Sequence, residues 1–151
     1  MIKIRHASIE DEKDLLDWRN DEIAIASSLS NSSVHPTNHA KWFSGIIKKK
    51  NCPLLIAEQD NQKIGMVRFD ESESCFMVSI NLNPFYRGRG LGSSILLLAE
   101  EFFFTQEAEI VAKVKVKNIA SAKLFSKCGY NLSVNNENDS LELIFTKVVL
   151  K

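Results

Sequence analysis

Cysteine is scarce in this chain of 151 residues, and the cysteines present do not suggest pairing. Cys52, Cys75 and Cys128 are odd in number and lie in or beside apolar segments, with neither a CxxC motif nor metal-ligand spacing. Such cysteines are typical of reduced thiols that pack as small apolar side chains. We therefore expect free thiols, no metal site and a cytoplasmic protein.

An excess of charge and a long apolar segment are also missing. The 19 lysine and arginine residues balance the 19 aspartate and glutamate residues, which disfavours nucleic acid or an anionic membrane as a partner. No apolar run approaches the roughly 20 residues that cross a bilayer, and residues 1–6 predict a strand instead of a signal peptide. Without repeats or a linker rich in proline, glycine or serine, residues 1–151 are expected to form a single domain.

Strand and helix patterns succeed one another along the chain. After the strand at 1–6, Ser8 is the expected cap of a helix, with Asp11 completing an imperfect capping box, and Thr37 is the expected cap of a later helix. A further short helix is predicted from about residue 22, between these two helices. The other predicted elements are strands at 53–59, 63–70 and 75–83, a helix at 90–105, a strand at 110–116, a helix at 119–127, and strands at 130–134 and 141–149 around a loop at 135–140. This order predicts a mixed α/β sandwich with an antiparallel meander in its middle, not a doubly wound fold.

The stretch NPFYRGRGLGSSILLLAEEFF at residues 83–103 places glycines and arginines directly before an apolar helix. A helix N-terminus presents backbone N–H groups without partners and a partial positive charge. Glycine lets an anion approach that backbone because no Cβ stands in the way. Gly88, Gly90 and Gly92, flanked by Arg87 and Arg89, therefore predict a site for a phosphate or pyrophosphate.

The spacing of these residues excludes two common phosphate-binding motifs. Ser93 occupies the position of the third glycine of the dinucleotide-binding motif GxGxxG, and the P-loop pattern GxxxxGK[ST] does not fit. Arg87, Gly90 and Gly92 do fit Arg-x-x-Gly-x-Gly. Downstream, IVAKVKVKNIASAKLFSKCGY reads as a strand, an asparagine and a helix that ends in Cys-Gly-aromatic. In both stretches the sequence resembles the GNAT family of N-acetyltransferases, and the order of elements matches over essentially the whole chain.

The resemblance implies a fold and a cofactor. The implied fold is α/β, with a GNAT-type mixed, mostly antiparallel central sheet whose central strands splay apart and are flanked by helices. The implied cofactor is acetyl-CoA: its pyrophosphate lies on the glycine turn, its pantetheine arm pairs with the backbone of Ile80 and Leu82, and Asn118 contacts the arm. The positions implied for cofactor binding are Ile80, Leu82, Arg87, Gly88, Arg89, Gly90, Leu91, Gly92, Ser93, Asn118, Ser121 and Phe125.

Phe125 departs from the family pattern, because many members carry a tyrosine there that protonates the departing thiolate. A phenyl ring cannot donate a proton, so another group or water does so, or the thiolate leaves unassisted. Tyr86, Tyr130 and Cys128 are the candidate substitutes, and the sequence does not choose among them. A thiol with a pKa of about 8.5 is a tolerable leaving group near neutral pH, which lessens the need for an acid.

The catalytic positions that the resemblance implies are Ile80, Ser79 and Asp70. A backbone N–H near Ile80 is suited to stabilise the oxyanion that forms when an amine attacks the thioester. Ser79 is suited to position a water, and Asp70 to take the proton from the attacking ammonium, with Glu71 and Glu73 as alternatives. For each of these carboxylates a solvated charge in a loop is an equally good interpretation.

Two early stretches, DLLDWRNDE and HPTNHAKWF, supply the candidates for acceptor binding. These candidates are Trp18, Arg19, Asn20, His39 and Trp42, with core packing as the competing interpretation of the tryptophans. The stretches resemble bacterial acetyltransferases that act on nucleotide-linked amino sugars, which implies a small-molecule primary amine as acceptor.

A homodimer is compatible with the sequence. Two alternatives stay open: a protein or peptide Nα-acetyltransferase, and a non-catalytic domain that binds acyl-CoA.

Overall fold

A seven-stranded sheet organises the protein, whose computed structural model describes residues 1–133 and 142–150. The elements are β1 (Ile2–His6), α1 (Glu12–Arg19), α2 (Glu22–Ser27), α3 (Pro36–Ile46), β2 (Leu54–Gln59), β3 (Gln62–Ser72), β4 (Cys75–Leu82), α4 (Leu91–Phe103), β5 (Ala108–Lys115), α5 (Ile119–Lys127), β6 (Asn131–Leu132) and β7 (Glu142–Val149). The strands lie side by side in the order β1-β2-β3-β4-β5-β7-β6. Within the described ranges, no helix is both long and apolar enough to cross a membrane.

The centre of the sheet contains its parallel pair, β4 and β5, and the other neighbouring strands are antiparallel. Only Phe76↔Ile110 and Met77↔Val111 are in register between these two strands. Beyond that point β4 continues to Leu82 and β5 continues to Lys115 as separate strands. The sheet is therefore mixed and mostly antiparallel with splayed central strands, which confirms the predicted fold class.

Two apolar cores hold the helices on opposite faces of the sheet. The larger core packs α4 and α5 on one face, and it includes Phe69, Ile95 and Ile110, all fully buried. The smaller core packs α1 and α3 on the other face through residues such as Phe43 and Met66. We call these faces the α4–α5 side and the α1–α3 side. All three cysteines are free thiols.

The helix caps differ in part from the sequence-based prediction. The Ser8 backbone N–H donates to Asp11 at 2.8 Å, as the predicted capping box requires, but the box opens a 3₁₀ turn at Ile9–Asp11 that leads into α1. The prediction that Thr37 caps α3 is wrong. His35 is the cap, and its Nδ1 accepts from the backbone N–H of Thr37. Proline favours the first helical position, and Pro36 at that position moves the cap back by two residues.

The predicted strands are recovered with shifted ends. The strand predicted at 63–70 extends to Ser72, and the one predicted at 110–116 begins at Ala108. The strand predicted at 130–134 is short and covers Asn131–Leu132. The predicted hairpin loop at 135–140 lies outside the described residues.

A buried carboxylate joins β1, β3 and the start of α1. Asp11 is 1% exposed. It accepts from Arg5 at 2.8 Å and from Lys63 at 2.8 Å. Burial alone would raise the pKa of Asp11, but the hydrogen bonds from Arg5, Lys63 and the Ser8 backbone together hold it well below the ordinary value. Its charged form is thus favoured more in the folded protein than in the unfolded chain.

We expect Asp11→Asn to destabilise the protein, because it leaves Arg5 and Lys63 without their shared partner. Loss of a buried ion pair costs about 3–5 kcal/mol, and we expect about 2–3 here because both cations keep contact with water. With its folded pKa lowered, Asp11 contributes stability above its unfolded pKa of about 3.9, and that contribution is lost as the pH falls below it. Thermal melts from pH 7 to pH 3 should therefore show a flatter pH dependence in Asp11→Asn.

Asp14→Asn is the matched control, because Asp14 also binds Lys63, at 2.9 Å, yet its side chain is 48% exposed. An exposed pair contributes less than about 1 kcal/mol. Equal losses of stability in the two variants would contradict the role given to the buried carboxylate.

Candidate functional site

A cavity of about 590 Å³ lies where β4 and β5 separate, within the range typical of small-molecule sites. Side chains alternate between the two faces along a strand. β4 therefore contributes Val78 and Ile80 to the α4–α5 side of the cavity, and Ser79 and Asn81 to the α1–α3 side. The cavity thus reaches both faces of the sheet through the gap between the strands.

The backbone of β4 presents hydrogen-bonding groups to this gap. The N–H of Asn83 donates to the carbonyl of Ile64 on β3 at 2.9 Å, and successive residues of a strand direct these groups to opposite edges. The N–H and C=O groups of Ile80 and Leu82 therefore face away from β3 and toward the gap. A nitrogen of Arg87 lies 3.5 Å from the Leu82 carbonyl oxygen, as this direction requires. An extended ligand with amide groups can pair with this edge as an added strand would.

A glycine turn follows the end of β4 and begins α4. Gly88 and Gly90 have φ of +75° and +73°, which glycine adopts without steric cost, and Gly90 is the N-cap of α4. A Cβ at either residue would meet no atom of the described part of the chain within 4 Å, which leaves space for a ligand beside this backbone. Gly92 has another role: a Cβ there would lie 3.2 Å from Leu124 on α5. It therefore lets α4 and α5 pack closely.

The turn and the strand edge together fit coenzyme A. The backbone N–H groups in the first turn of α4, which includes Leu91 and Ser93, have no partners within the helix and suit a pyrophosphate. Arg89 lies on this turn and stacks over the Tyr86 ring at 5.0 Å. The pantetheine arm carries amide groups that need hydrogen-bond partners once buried, and the edge at Ile80 and Leu82 offers them. The glycine turn is outside the cavity lining, so the edge of β4 connects the two.

The first turn of α5 forms the opposite wall on the α4–α5 side. Asn118 is the N-cap of α5, and its side-chain oxygen accepts from the Ser121 backbone N–H at 3.1 Å. Both residues line the cavity together with Phe125. Phe125 is 4% exposed, with the rings of Tyr130 and Phe145 at 5.1 and 6.1 Å. Asn118 therefore caps α5 and also lies beside the gap.

Two cations hold α2 and the loop after it across the gap. Arg87 pairs with Asp21, whose carboxylate also caps α2, and the hydrogen bond from Arg87 holds the pKa of Asp21 below its ordinary value. On the β5 side, the Lys115 ammonium donates to the carbonyl of Ala26 at 2.9 Å. This segment contributes the cavity residues Ala24 and 27–30. It therefore encloses the α1–α3 side of the cavity.

Cationic and aromatic side chains line the α1–α3 side. Arg19, His39 and Trp42, three of the five predicted acceptor residues, reach the cavity with Arg68 and Lys113. The Arg68 guanidinium lies 5.1 Å from the Trp42 ring centroid, close enough for a cation–π contact. The result is a flat, charged surface opposite the gap in the sheet.

His39 forms a hydrogen-bonded pair with a carboxylate. It is 5% exposed, and its Nδ1 lies 3.0 Å from the Oε2 of Glu12 on α1. Since an ionised carboxylate only accepts, Nδ1 carries the hydrogen in this pair and Nε2 of a neutral ring is an acceptor. The Trp42 and Phe43 rings pack against the imidazole at 5.3 and 6.3 Å. His39 is therefore fixed in orientation at the wall of the cavity.

Two of the predicted acceptor residues, Trp18 and Asn20, lie outside the cavity lining that the described residues form. Trp18 is 5% exposed in the smaller core, because it lies on the face of α1 that packs on the sheet. Asn20 accepts from the Val34 N–H at 2.7 Å and donates to the Val34 carbonyl at 2.8 Å. It holds the loop before α3, and neither residue lines the cavity within the described part of the chain.

Of the predicted catalytic side chains, that of Ser79 on β4 lies at the cavity and that of Asp70 on β3 does not. Ser79 lines the cavity, with its Oγ 3.4 Å from Arg68. Both carboxylate oxygens of Asp70 lie within 3.0 Å of Arg68 Nε, and Asp70 is outside the lining that the described residues form. Glu71 and Glu73 are exposed. Asp70 is therefore poorly placed to take a proton in the cavity.

Tyr130 and Cys128, two candidate substitutes for the missing tyrosine, have other partners. The buried Tyr130 hydroxyl donates to Glu100 at 2.6 Å, and burial followed by the Glu100 charge raises the pKa of Tyr130 well above its ordinary value. The Cys128 thiol lies 3.6 Å from the Ser93 carbonyl, and burial raises its pKa too. Neither group lines the cavity among the described residues, and both act in packing α5 onto α4.

The residues that the sequence did not single out are ones whose partners are distant along the chain. Glu12 meets His39 across 27 residues, and Asp21 meets Arg87 across 66. Glu12 carries only the local signal of an acidic first helical turn, and Asp21 only that of a helix cap. The alternation of side chains along β5 places Lys113 on one face of the sheet, but it does not indicate a ligand-binding site.

Comparison with known proteins gives a family and a set of relatives. Residues 13–130 match the family model described as Acetyltransferase (GNAT) family, which covers more than half of the chain. The chain is 30% identical over 93 residues to the uncharacterized N-acetyltransferase YfmK of Bacillus subtilis (strain 168), a match that spans 61% of this chain and 63% of that protein. It is 25% identical over 138 residues to the SPbeta prophage-derived uncharacterized N-acetyltransferase YokL of the same organism, spanning 88% of this chain and 76% of that protein.

Solved structures share the fold at lower identity. The spermidine N-acetyltransferase from Vibrio cholerae, in complex with CoA and spermine, superposes with a TM-score of 0.81 over 99% of this chain and 95% of that chain. The two sequences are 16% identical. At this identity the likeness concerns the arrangement of helices and strands.

Proposed function

This chain belongs to the acetyltransferase (GNAT) family, and on that premise we propose that it transfers an acetyl group from acetyl-CoA to a primary amine of a small molecule, an amino sugar. One observation carries the proposal: the free edge of β4 at Ile80 and Leu82 joins a glycine turn suited to pyrophosphate to a partly enclosed cavity. At this edge the thioester at the end of the pantetheine arm would meet the amine of the acceptor.

Partial enclosure of the cavity supports a small acceptor over a protein terminus. The α2 segment is tied to the turn after β4 through Arg87 and to β5 through Lys115. The segment therefore narrows the approach to the α1–α3 side of the cavity. An amino sugar, including one linked to a nucleotide, presents hydroxyl groups and ring faces. The Trp42 ring is suited to pack against a ring face, and the cationic side chains are suited to bind the hydroxyl groups.

Orientation and backbone donors supply most of the catalysis in this proposal. Acetyl-CoA supplies the acetyl group as a thioester when bound. The glycine turn and the first turn of α4 would hold its pyrophosphate, and the Leu82 backbone and Asn118 would hold its arm. The Ile80 N–H would donate to the thioester carbonyl oxygen as negative charge develops there. A bond from the amine nitrogen to the acetyl carbon would replace the carbon–sulfur bond, whose electron pair would leave on the sulfur, and the second proton of the nitrogen would pass to water or to the thiolate.

We propose His39 as the base that takes the proton from the attacking ammonium. His39 lines the cavity, and Glu12 fixes the tautomer whose Nε2 accepts. Asp70, the carboxylate favoured by the sequence, is engaged by Arg68 instead. Ser79 also lines the cavity and is suited to hold a water that relays the proton. A cytoplasmic location and a homodimer stay predictions.

The proposal is tested by an acceptor panel with acetyl-CoA, read as free thiol released. The panel contains amino sugars and their nucleotide-linked forms, spermidine, aminoglycosides and short peptides. We expect thiol release with amino sugars above the rate without acceptor. Faster turnover of peptides than of every amino sugar would support the Nα-acetyltransferase alternative. Binding of acetyl-CoA without thiol release from any amine would support a non-catalytic acyl-CoA-binding domain, which Phe125 favours.

We expect Phe125→Tyr to change turnover by less than about tenfold, because a thiol with a pKa near 8.5 leaves without much help at neutral pH. General acid catalysis can contribute about 10²- to 10⁴-fold where protonation limits the rate. Initial rates with saturating amine and acetyl-CoA would measure the change. Phe125→Leu is the control for altered packing against Tyr130 and Phe145, and each variant must bind acetyl-CoA as the parent does. A hundredfold gain at unchanged affinity would show that protonation of the thiolate limits the native enzyme.

A further inference from the structure

Three cations line the α1–α3 side of the cavity, and only one of them, Arg68, has a carboxylate partner among the described residues. Arg19, Arg68 and Lys113 line it, and no aspartate or glutamate does so among the residues that the structure describes. An acceptor with several ammonium groups would meet like charges here, which is unfavourable in a partly enclosed site. The lining is instead suited to a ligand that carries negative charge.

The three cations differ in how far the protein already satisfies them. Arg68 pairs with Asp70 through Nε and stacks on Trp42. Lys113 is exposed and forms no ion pair within residues 1–133 and 142–150. Arg19 donates from Nη2 to Ser30 at 3.2 Å. Arg68 is thus committed to the wall, whereas Arg19 and Lys113 keep donors for a ligand.

Arg19 carries the decisive feature. Its Nη1 is buried and has no hydrogen-bond partner among the described residues, although buried donors are rarely left unpaired. The bond from Nη2 joins the guanidinium to Ser30, and both residues line the cavity. Nη1 is covered by protein atoms in this structure, and a turn of the side chain toward the cavity would give it the oxygen of a phosphate or carboxylate as a partner, which a planar guanidinium suits.

We infer that the acceptor carries an anionic group, a phosphate or a carboxylate, in addition to its amine, and that Arg19 binds this group with help from Lys113. The inference rests on the proposed acetyl transfer and specifies its acceptor. Arg19 extends from the end of α1, and Lys113 from β5 on the same face as Ser79, since Met77 and Val111 are in register. The anion therefore lies on the α1–α3 side, while the amine reaches toward Ile80. Polyamines such as the spermine bound by the Vibrio cholerae protein are expected to be poor acceptors here.

The test uses matched amines that differ only in the anion. Glucosamine is compared with glucosamine 6-phosphate and glucosamine 1-phosphate, and serinol with L-serine, by thiol release from acetyl-CoA. We expect the anionic member of at least one set to have a kcat/KM higher by about tenfold or more. The phosphate and carboxylate sets distinguish the two sources of the charge.

Arg19→Gln should lower that ratio of kcat/KM by about tenfold or more, with most of the loss in KM for the anionic amine. Arg19→Lys should recover part of it. Lys13→Gln is the control, because it removes a positive charge from an exposed position of the same helix and should leave the ratio unchanged. Melting temperatures check that each variant is folded.

The outcomes separate the inference from the proposed function. Thiol release with equal kcat/KM for neutral and anionic members, or a ratio unchanged in Arg19→Gln, would overturn the inference alone. Absence of thiol release from every amine, with acetyl-CoA bound, would overturn the proposed function and the inference together.

Discussion

Replacing Gly90 by glutamate is expected to abolish binding of coenzyme A while the protein stays folded. Gly90 is the N-cap of α4, where the first-turn N–H groups would hold the pyrophosphate. A carboxylate there places a like charge against the phosphates, which costs several kcal/mol and so reduces affinity by about a hundredfold or more. Calorimetry with CoA measures the loss.

The structure corrects one expected cause of this effect. A clash at this turn would be the simplest steric cause, yet a Cβ on Gly90 would meet no atom of the described residues within 4 Å. The steric cost is instead conformational, since φ is +73° and a side chain in that region costs about 1–2 kcal/mol. Gly90→Gln shares this cost without the charge. It should lower the melting temperature as much as Gly90→Glu does but retain much more CoA affinity; equal affinities of the two variants would contradict the role given to charge.

The parts of the site that the sequence revealed are those defined by short stretches of chain. The glycine turn is local, because positive φ at Gly88 and Gly90 and the start of α4 follow each other directly. Asn118 is local in the same way, as a cap three residues before its partner Ser121. The splay of β4 and β5 is not local, and only the family resemblance predicted it.

The acceptor side was predicted less well because helix faces and distant pairs decide it. Trp18 and Trp42 look alike in sequence, each on a helix with apolar neighbours. Packing turns Trp18 into the smaller core and leaves Trp42 at the cavity wall. Asn20 binds the backbone of Val34, 14 residues away, which nothing in its own stretch indicates. The net charge of the whole chain is zero, so the composition gives no sign that several cations lie on one side of the cavity.

Removal of the His39 imidazole is expected to have the second large effect, on turnover and not on cofactor affinity. The ammonium of an amino sugar has a lower pKa than the alkyl ammonium of lysine, because oxygens lie beside it, but it is still largely protonated at pH 7, so the attacking nitrogen must lose a proton. A positioned base contributes about 10²- to 10⁴-fold, and we expect His39→Ala to lower kcat within that range. Glu12→Gln should cause a smaller loss, because it weakens the hydrogen bond that orients the ring through Nδ1.

The pH dependence distinguishes a base from a residue that only supports the wall. If an imidazole takes the proton, kcat of the parent rises with pH, because only the neutral ring can accept a proton. His39→Gln keeps a hydrogen-bond donor for Glu12 but cannot titrate, so it should lose that rise while its melting temperature changes little. His35→Asn is the matched control, since it removes the exposed histidine that caps the same helix and asparagine is itself a good cap. Persistence of the rise in His39→Gln, with a kcat within about threefold of the parent, would exclude His39 as the base, because a base contributes at least about 10²-fold.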